Sequence, residues 1–260
     1  MTRRSFDELV SLMSTLRAPG GCPWDREQTL ADLKPFVIEE AYEVVDAIDR
    51  EDSEALREEV GDMLLEAVFV AEIARENGSF DVYDAVTAVH DKLVRRHPHV
   101  FADVEAKDAE AVLVNWEKLK NEERARESKS LLSGVPVSLP ALLKATRLTE
   151  KAARVGFDWE TPQDVVEKME EELEELKAAI RSDNRAEIEN ELGDLFFTLA
   201  NIARKLKVNS EEALQATNRK FIRRFQAVEA GLRSAGKTFE EATLAEMDAF
   251  WNEEKDREKE

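Results

Sequence analysis

Eight carboxylates stand out by type and spacing. Glu40, Glu43, Glu59 and Asp62 form an E-x-x-E followed by an E-x-x-D. Glu172, Glu175, Glu191 and Asp194 repeat the pattern, with gaps of 3, 16 and 3 in both copies. Residues three apart share one face of a helix. Four carboxylates drawn together repel unless they are protonated or bridged by cations. A hard divalent metal with oxygen ligands suits them, and Mg²⁺ is the usual one beside phosphates. One E-x-x-E in a Glu-rich chain reads as a solvated acidic face; two paired motifs at identical spacing read as a site. A di-iron bundle would need E-x-x-H pairs, and no Glu stands three residues before His90, His97 or His99.

The elements that must carry these acids also come in two copies. Glu39–Glu43 aligns with Glu171–Glu175 at an offset of 132, which also places Gly61 on Gly193 and Asp32 on Asp164. Further on the offset is 128, where Lys92-Leu93-Val94-Arg95-Arg96 meets Lys220-Phe221-Ile222-Arg223-Arg224, and Trp116 roughly matches Trp251. The change implies four extra residues in the first copy, around Asn77–Tyr83. Each copy reads as two long helices joined by a short turn, an αα-hairpin. Thr161-Pro162-Gln163-Asp164 is a helix start. Val165, Val166, Met169, Leu173, Leu176 and Ile180 follow at helical spacing, and Ile188, Leu192, Leu195, Phe196 and Leu199 line the second helix. The turns fall at 49–53 and 181–184. Glu175 stands six residues before Arg181 and Glu191 six after Arg185, about 9 Å at 1.5 Å per residue, so the acids meet at one level. Gly61 and Gly193 lie inside helices, where each costs about 1 kcal/mol relative to Ala; close approach of a ligand or helix would justify them. Later helices are expected at about 210–234 and 238–256.

The fold class is therefore all-α, with two tandem helical-bundle repeats that pair as a dimer. The first domain spans 1–125, a Ser- and Pro-bearing linker 126–140, and the second domain 141–260.

Composition narrows the partners. The net charge of −20 argues against a duplex nucleic-acid binder. It also demands a cation or a basic patch for any phosphate-bearing substrate. One cysteine, Cys22, leaves no internal disulfide, and one Cys with three His makes a zinc site improbable on composition. No run approaches 18 apolar residues, so no membrane span is expected and the reading is a cytoplasmic protein.

The basic patch has candidates. Lys220 and Arg224 lie one turn apart, with Phe221, Phe225 and Val228 on the other face, and suit phosphate oxygens. Trp251 offers a stacking surface or a core plug.

At these residues the chain resembles the MazG family of nucleoside triphosphate pyrophosphohydrolases. The resemblance rests on EExxE…ExxD, on Gly-Cys-Pro-Trp-Asp at 21–25, on Leu93-Val94-Arg95-Arg96-His97-Pro98-His99 and on the tandem layout. It implies hydrolysis of nucleoside triphosphates to monophosphate and pyrophosphate, broad base tolerance, Mg²⁺ dependence and a homodimer. It also implies that the second repeat is catalytic. There Glu172, Glu175, Glu191 and Asp194 would hold Mg²⁺. Lys168, Glu171, Asp194, Lys220, Arg224 and Trp251 would contact nucleotide. A metal-activated water would be the attacking group. In the first repeat Phe36 replaces Lys168, His90 replaces Asn218 and Glu58 replaces Asn190. That repeat keeps its acids for a second metal site, Glu40, Glu43, Glu59 and Asp62, and lacks part of the nucleotide set.

Other signals compete. Gly231–Thr238 matches G-x-x-x-x-G-K-T, but helical spacing precedes it where a P-loop needs a strand. Gly236 reads instead as a helix C-cap and Thr238-Phe-Glu-Glu241 as a capping box. His97-Pro98-His99 reads as a turn. The contrasting functional reading is a non-catalytic nucleotide- or metal-sensing adaptor that binds through its acidic surface.

Overall fold

A computed structural model describes residues 3–102, 108, 112, 116 and 130–259. The chain divides into two compact units, residues 1–123 and 124–260. Every regular element among the described residues is helical.

The first unit contains α1 (Phe6–Arg17), α2 (Pro23–Glu27), α3 (Leu33–Asp49), α4 (Ser53–Glu76), α5 (Val82–Arg96) and α6 (Pro98–Phe101). The second contains α7 (Ala141–Ala153), α8 (Pro162–Ser182), α9 (Arg185–Lys205), α10 (Ser210–Ser234) and α11 (Leu244–Arg257). In the first, α3 and α4 form the hairpin and α1 packs across α4. Its core is Met13, Leu33, Val68, Phe69 and Ile73, with Phe36 and Leu65 against it. In the second, α8 and α9 form the hairpin, α7 lies on α9, and α10 pairs with α11.

The two hairpin turns share one backbone device. Glu51 and Asp183, 132 residues apart, both sit in the left-handed region at φ 53°. Few residues other than Gly adopt that region without strain. The next residue caps the second helix in each case: Asp52 accepts from the Glu54 and Ala55 amides at 3.1 Å, and Asn184 accepts from Glu187 at 3.4 Å. Capping satisfies amides that have no intrahelical acceptor. The four additional residues of the first copy are also located. Helix α4 has 24 residues and α9 has 21, and the turn after α4 is one residue longer.

One local expectation changes. The last helix begins at Leu244 rather than near 238, because Thr243 and Glu246 form its capping box. Thr238 and Glu241 close a preceding turn instead, with the Thr238 amide donating to Glu241 at 3.0 Å. The interior glycines Gly61 and Gly193 face open space: a Cβ at either would meet nothing within 4 Å. No packing within a unit requires them. Gly231 is different, since its Cβ would fall 2.4 Å from the Phe250 ring. Only Gly lets α10 and α11 approach this closely there.

Of the expected linker, 126–129 lies outside the described residues. The remainder rests on the second unit, where the buried Lys151 ammonium donates to the Ser133 carbonyl at 2.5 Å. Among the described residues no helix is long and apolar enough to cross a membrane.

Candidate active site

Helix α8 begins at a full capping box: the Thr161 amide donates to Asp164 Oδ2 at 2.7 Å and the Asp164 amide to Thr161 Oγ1 at 3.3 Å. Along it Val165, Glu172 and Ala179 are the buried positions. They are seven apart, so Glu172 stands in the apolar seam between the hairpin helices. The first unit repeats this with Leu33, Glu40 and Ala47, although Glu40 is only partly buried. A carboxylate in such a seam is costly unless it is paired or bridged.

The seam gathers three of each four predicted acids. Carboxylate oxygens of Glu172, Glu175 and Glu191 lie within 4.8 Å of one another, as do those of Glu40, Glu43 and Glu59. Neither Asp194 nor Asp62 belongs to these triads. Asp194 is exposed one turn beyond Glu191 and accepts from the Asn190 side-chain amide at 3.3 Å.

The two clusters differ in charge. In the second unit Lys168 Nζ lies 2.8 Å from both Glu171 Oε1 and Glu172 Oε1. These neighbours raise the Lys168 pKa, so the ammonium is held fully charged. Desolvation and the charges of Glu172 and Glu191 push the Glu175 carboxyl up, and Lys168 partly opposes them. In the first unit the matching residue is Phe36, which packs on the core and meets Trp24 edge-on at 6.1 Å. Without an ammonium there, Glu40 and Glu59 are both pushed up, first by desolvation and then by neighbouring acids.

A further acid, outside the predicted four, is coupled electrostatically to the first cluster. Glu66, one turn beyond Asp62, is raised by desolvation and by Asp62. Oε2 of Glu66 and Oε2 of Glu40 are shielded from solvent with no hydrogen-bond partner. Sequence reasoning missed Glu66 because the second copy has Thr198 at its place. The signal present was Asp62-x-x-x-Glu66 on one helix face. Both clusters offer hard oxygen donors with too little positive charge of their own, which fits a divalent cation.

The predicted basic set is brought together in part. The Arg224 guanidinium carbon lies 5.6 Å from the centre of the Trp251 ring, and Trp251 meets Phe221 edge-on at 5.2 Å. Lys220 is exposed and forms no ion pair among the described residues. The first unit echoes the platform, with Arg96 5.4 Å from the Trp116 ring. His97 caps α5, meets the Trp116 ring in a T-shaped contact with centroids 4.8 Å apart, and precedes Pro98 of α6, as a turn residue should.

The P-loop alternative fails on structure. Helix α10 precedes Gly236, Gly236 has φ 68°, and Lys237 is paired with Glu246.

An acidic helical hairpin occurs in each unit, and each unit also carries an Arg–Trp pair; an all-α frame with duplicated carboxylate clusters is the arrangement to compare with known nucleotide hydrolases. The model of the MazG nucleotide pyrophosphohydrolase domain matches residues 28–101 and again 160–228. The nucleoside triphosphate pyrophosphohydrolase of Escherichia coli K12 is 46% identical, over 97% of this chain and 98% of its own. The nucleoside triphosphate pyrophosphohydrolase/pyrophosphatase MazG of Thermotoga maritima is 44% identical, over 96% and 95%. Protein YabN of Bacillus subtilis is 44% identical over 98% of this chain and 52% of its own. The chain belongs to the MazG nucleotide pyrophosphohydrolase family.

Proposed function

We propose that this chain hydrolyses nucleoside triphosphates to nucleoside monophosphate and pyrophosphate at the hairpin of its second unit. The observation that carries this reading is the seam-buried Glu172, with Glu175 and Glu191 within 4.8 Å and Lys168 against it. Glu172, Glu175, Glu191 and Asp194 would hold Mg²⁺. When bound, the ion neutralises phosphate charge and acidifies a water molecule. Lys168 and Glu171 stand beside the cluster, so the Lys168 ammonium can turn from Glu172 to a phosphate oxygen. Lys220 and Arg224 supply further positive charge to a chain of net −20. Trp251 offers a stacking surface, and stacking accepts every base because each has a π-face; this supports broad base tolerance.

The first unit is assigned a second metal site at Glu40, Glu43, Glu59 and Asp62, without turnover. Phe36 removes the ammonium that the second unit sets beside its buried glutamate. The chain is further proposed to act as a homodimer. Leu173, Ile180, Leu192, Phe196 and Leu199 remain exposed on the hairpin helices, and an apolar face of this kind marks an interface. A cytoplasmic setting accords with the substrate and with the lone cysteine.

The test is pyrophosphate release from a panel of nucleoside triphosphates with Mg²⁺, on wild type, Glu172→Gln and Glu40→Gln. Only Glu172→Gln should abolish turnover. Equal losses would remove the one-active-unit assignment, and an inert wild type would remove the enzyme assignment.

A further inference from the structure

Arg224 is held from two sides. Its Nη2 donates to Glu258 Oε2 at 2.6 Å, and its Nε lies 3.2 Å from that oxygen and 3.3 Å from Oε1. Its guanidinium carbon lies over the Trp251 ring, 5.6 Å from the centre. Glu258 also binds the neighbouring Arg223, whose Nε donates to Oε1 at 3.0 Å. Trp251 and Glu258 are seven residues apart at the end of α11, so they project from one face toward α10.

This differs from an ordinary surface ion pair. The side chains of Arg224 and Glu258 are only 19% and 17% exposed, and one carboxylate secures two successive arginines. The Nε–Nη2 edge of Arg224 is used by Glu258, which leaves Nη1 as the donor that Glu258 does not take. The same spacing recurs in the sequence of the first copy, where Glu123 stands seven residues after Trp116. Glu123 lies outside the described residues.

We propose that Glu258 is a positioning residue for the triphosphate: it fixes the guanidinium of Arg224 over Trp251, so that the Nη1 edge meets phosphate oxygens while the indole meets the base. This rests on the nucleotide reading of the second unit. Arg loses less freedom on binding when its planar fork is already held in place. Hydrogen bonds from Arg224 and Arg223 hold the Glu258 carboxyl down to about 2, so the clamp stays charged across the neutral range.

The experiment compares full-length wild type with Glu258→Gln, Glu258→Ala and Glu258→Asp. It measures KM and kcat for pyrophosphate release from ATP with Mg²⁺. Calorimetric binding of ATP and of adenosine to the same proteins reads positioning without turnover. Glu258→Ala and Glu258→Gln should raise KM by about tenfold, the low end for a group that orients a ligand-binding residue. The kcat should stay near wild type, ATP binding should weaken, adenosine binding should hold, and Glu258→Asp should recover part of the loss. Unchanged ATP binding overturns the proposal. Tighter ATP binding also overturns it, since Glu258 would then be a competitor for Arg224. A wild type that binds ATP without releasing pyrophosphate defeats the hydrolase reading and leaves the clamp measurable by binding alone.

Discussion

The Lys168 ammonium stands 2.8 Å from the carboxylate of Glu172, one helical turn along α8. Glu172 is 6% exposed and has no other cation in reach among the described residues. The lysine therefore serves as the counter-ion of a buried acid whose other charged neighbours, Glu175 and Glu191, are carboxylates. A metal ion bound by Glu172 would compete with it.

That competition gives opposite effects on two ligands. Lys168→Met should strengthen Mn²⁺ binding measured without nucleotide, because the ammonium no longer holds Glu172. It should weaken nucleoside triphosphate binding by at least about tenfold, since a charge-assisted hydrogen bond is worth about 1.5–3 kcal/mol. Titration by electron paramagnetic resonance reads the first and steady-state kinetics the second. A loss of both affinities would mean that Lys168 only supports the fold.

The open hairpin faces give a prediction about assembly. Phe196 is 59% exposed beside Leu192 and Leu199. Phe196→Glu should shift the chain toward monomer in light scattering at micromolar concentration and reduce turnover with it. An unchanged mass would show that this face is not the interface.

Asp158 ties the segment before α8 to the end of α9. Arg204 Nη2 lies 2.5 Å from Asp158 Oδ1 and Lys205 Nζ 2.9 Å from Oδ2. Burial works against the charged carboxyl, but Arg204 and Lys205 outweigh it and hold its pKa below the ordinary aspartate value. A carboxylate lowered on folding stabilises above its unfolded pKa, and that stability is lost as pH falls through the folded one. Asp158→Asn should therefore cost about 1–3 kcal/mol at pH 7. The gap to wild type should narrow only below about pH 4. Denaturant unfolding at both pH values checks this; a gap independent of pH would assign the cost to shape rather than charge.

Gly231→Ala places a methyl group 2.4 Å from Phe250. Overpacking of this kind costs about 1–3 kcal/mol, more than the helix propensity that Ala returns. Thermal unfolding should show a lower midpoint, and the double variant with Phe250→Leu should recover part of it. A midpoint above wild type would mean that α11 is free to move away.

The acids were legible because two sequence copies could be read against each other. Spacing gave the E-x-x-E and E-x-x-D faces, and turn residues gave their common level. Glu66 was hidden because it has no counterpart in the second copy. Glu258 was hidden because its role depends on α11 lying against α10, which no local pattern specifies. The start of the last helix was misread for a local reason: Thr238…Glu241 and Thr243…Glu246 are equal capping signals in sequence. Tertiary packing selects between them, with Phe239 stacked on Phe225 at 5.7 Å and the chain free to turn helical only afterwards. For the interior glycines Gly61 and Gly193 the sequence leaves two reasons open, close approach of a ligand or of a helix, and no helix of their own unit approaches them.

The matched left-handed residues Glu51 and Asp183 act like a start mark for a reading frame. Each residue added between that mark and the acids would turn a carboxylate by about 100° around its helix and lift it about 1.5 Å. Two such errors would put it on the wrong side of the seam. Helix α8 is four residues longer than α3, yet the offset of 132 is unbroken from Glu39/Glu171 to Asp62/Asp194, and the four extra residues of chain in the first copy lie downstream of the acids, at the far end of α4 and its turn. The extra residues thus fall where the frame has already been read, and the stretch from turn to cluster has the same length in both copies.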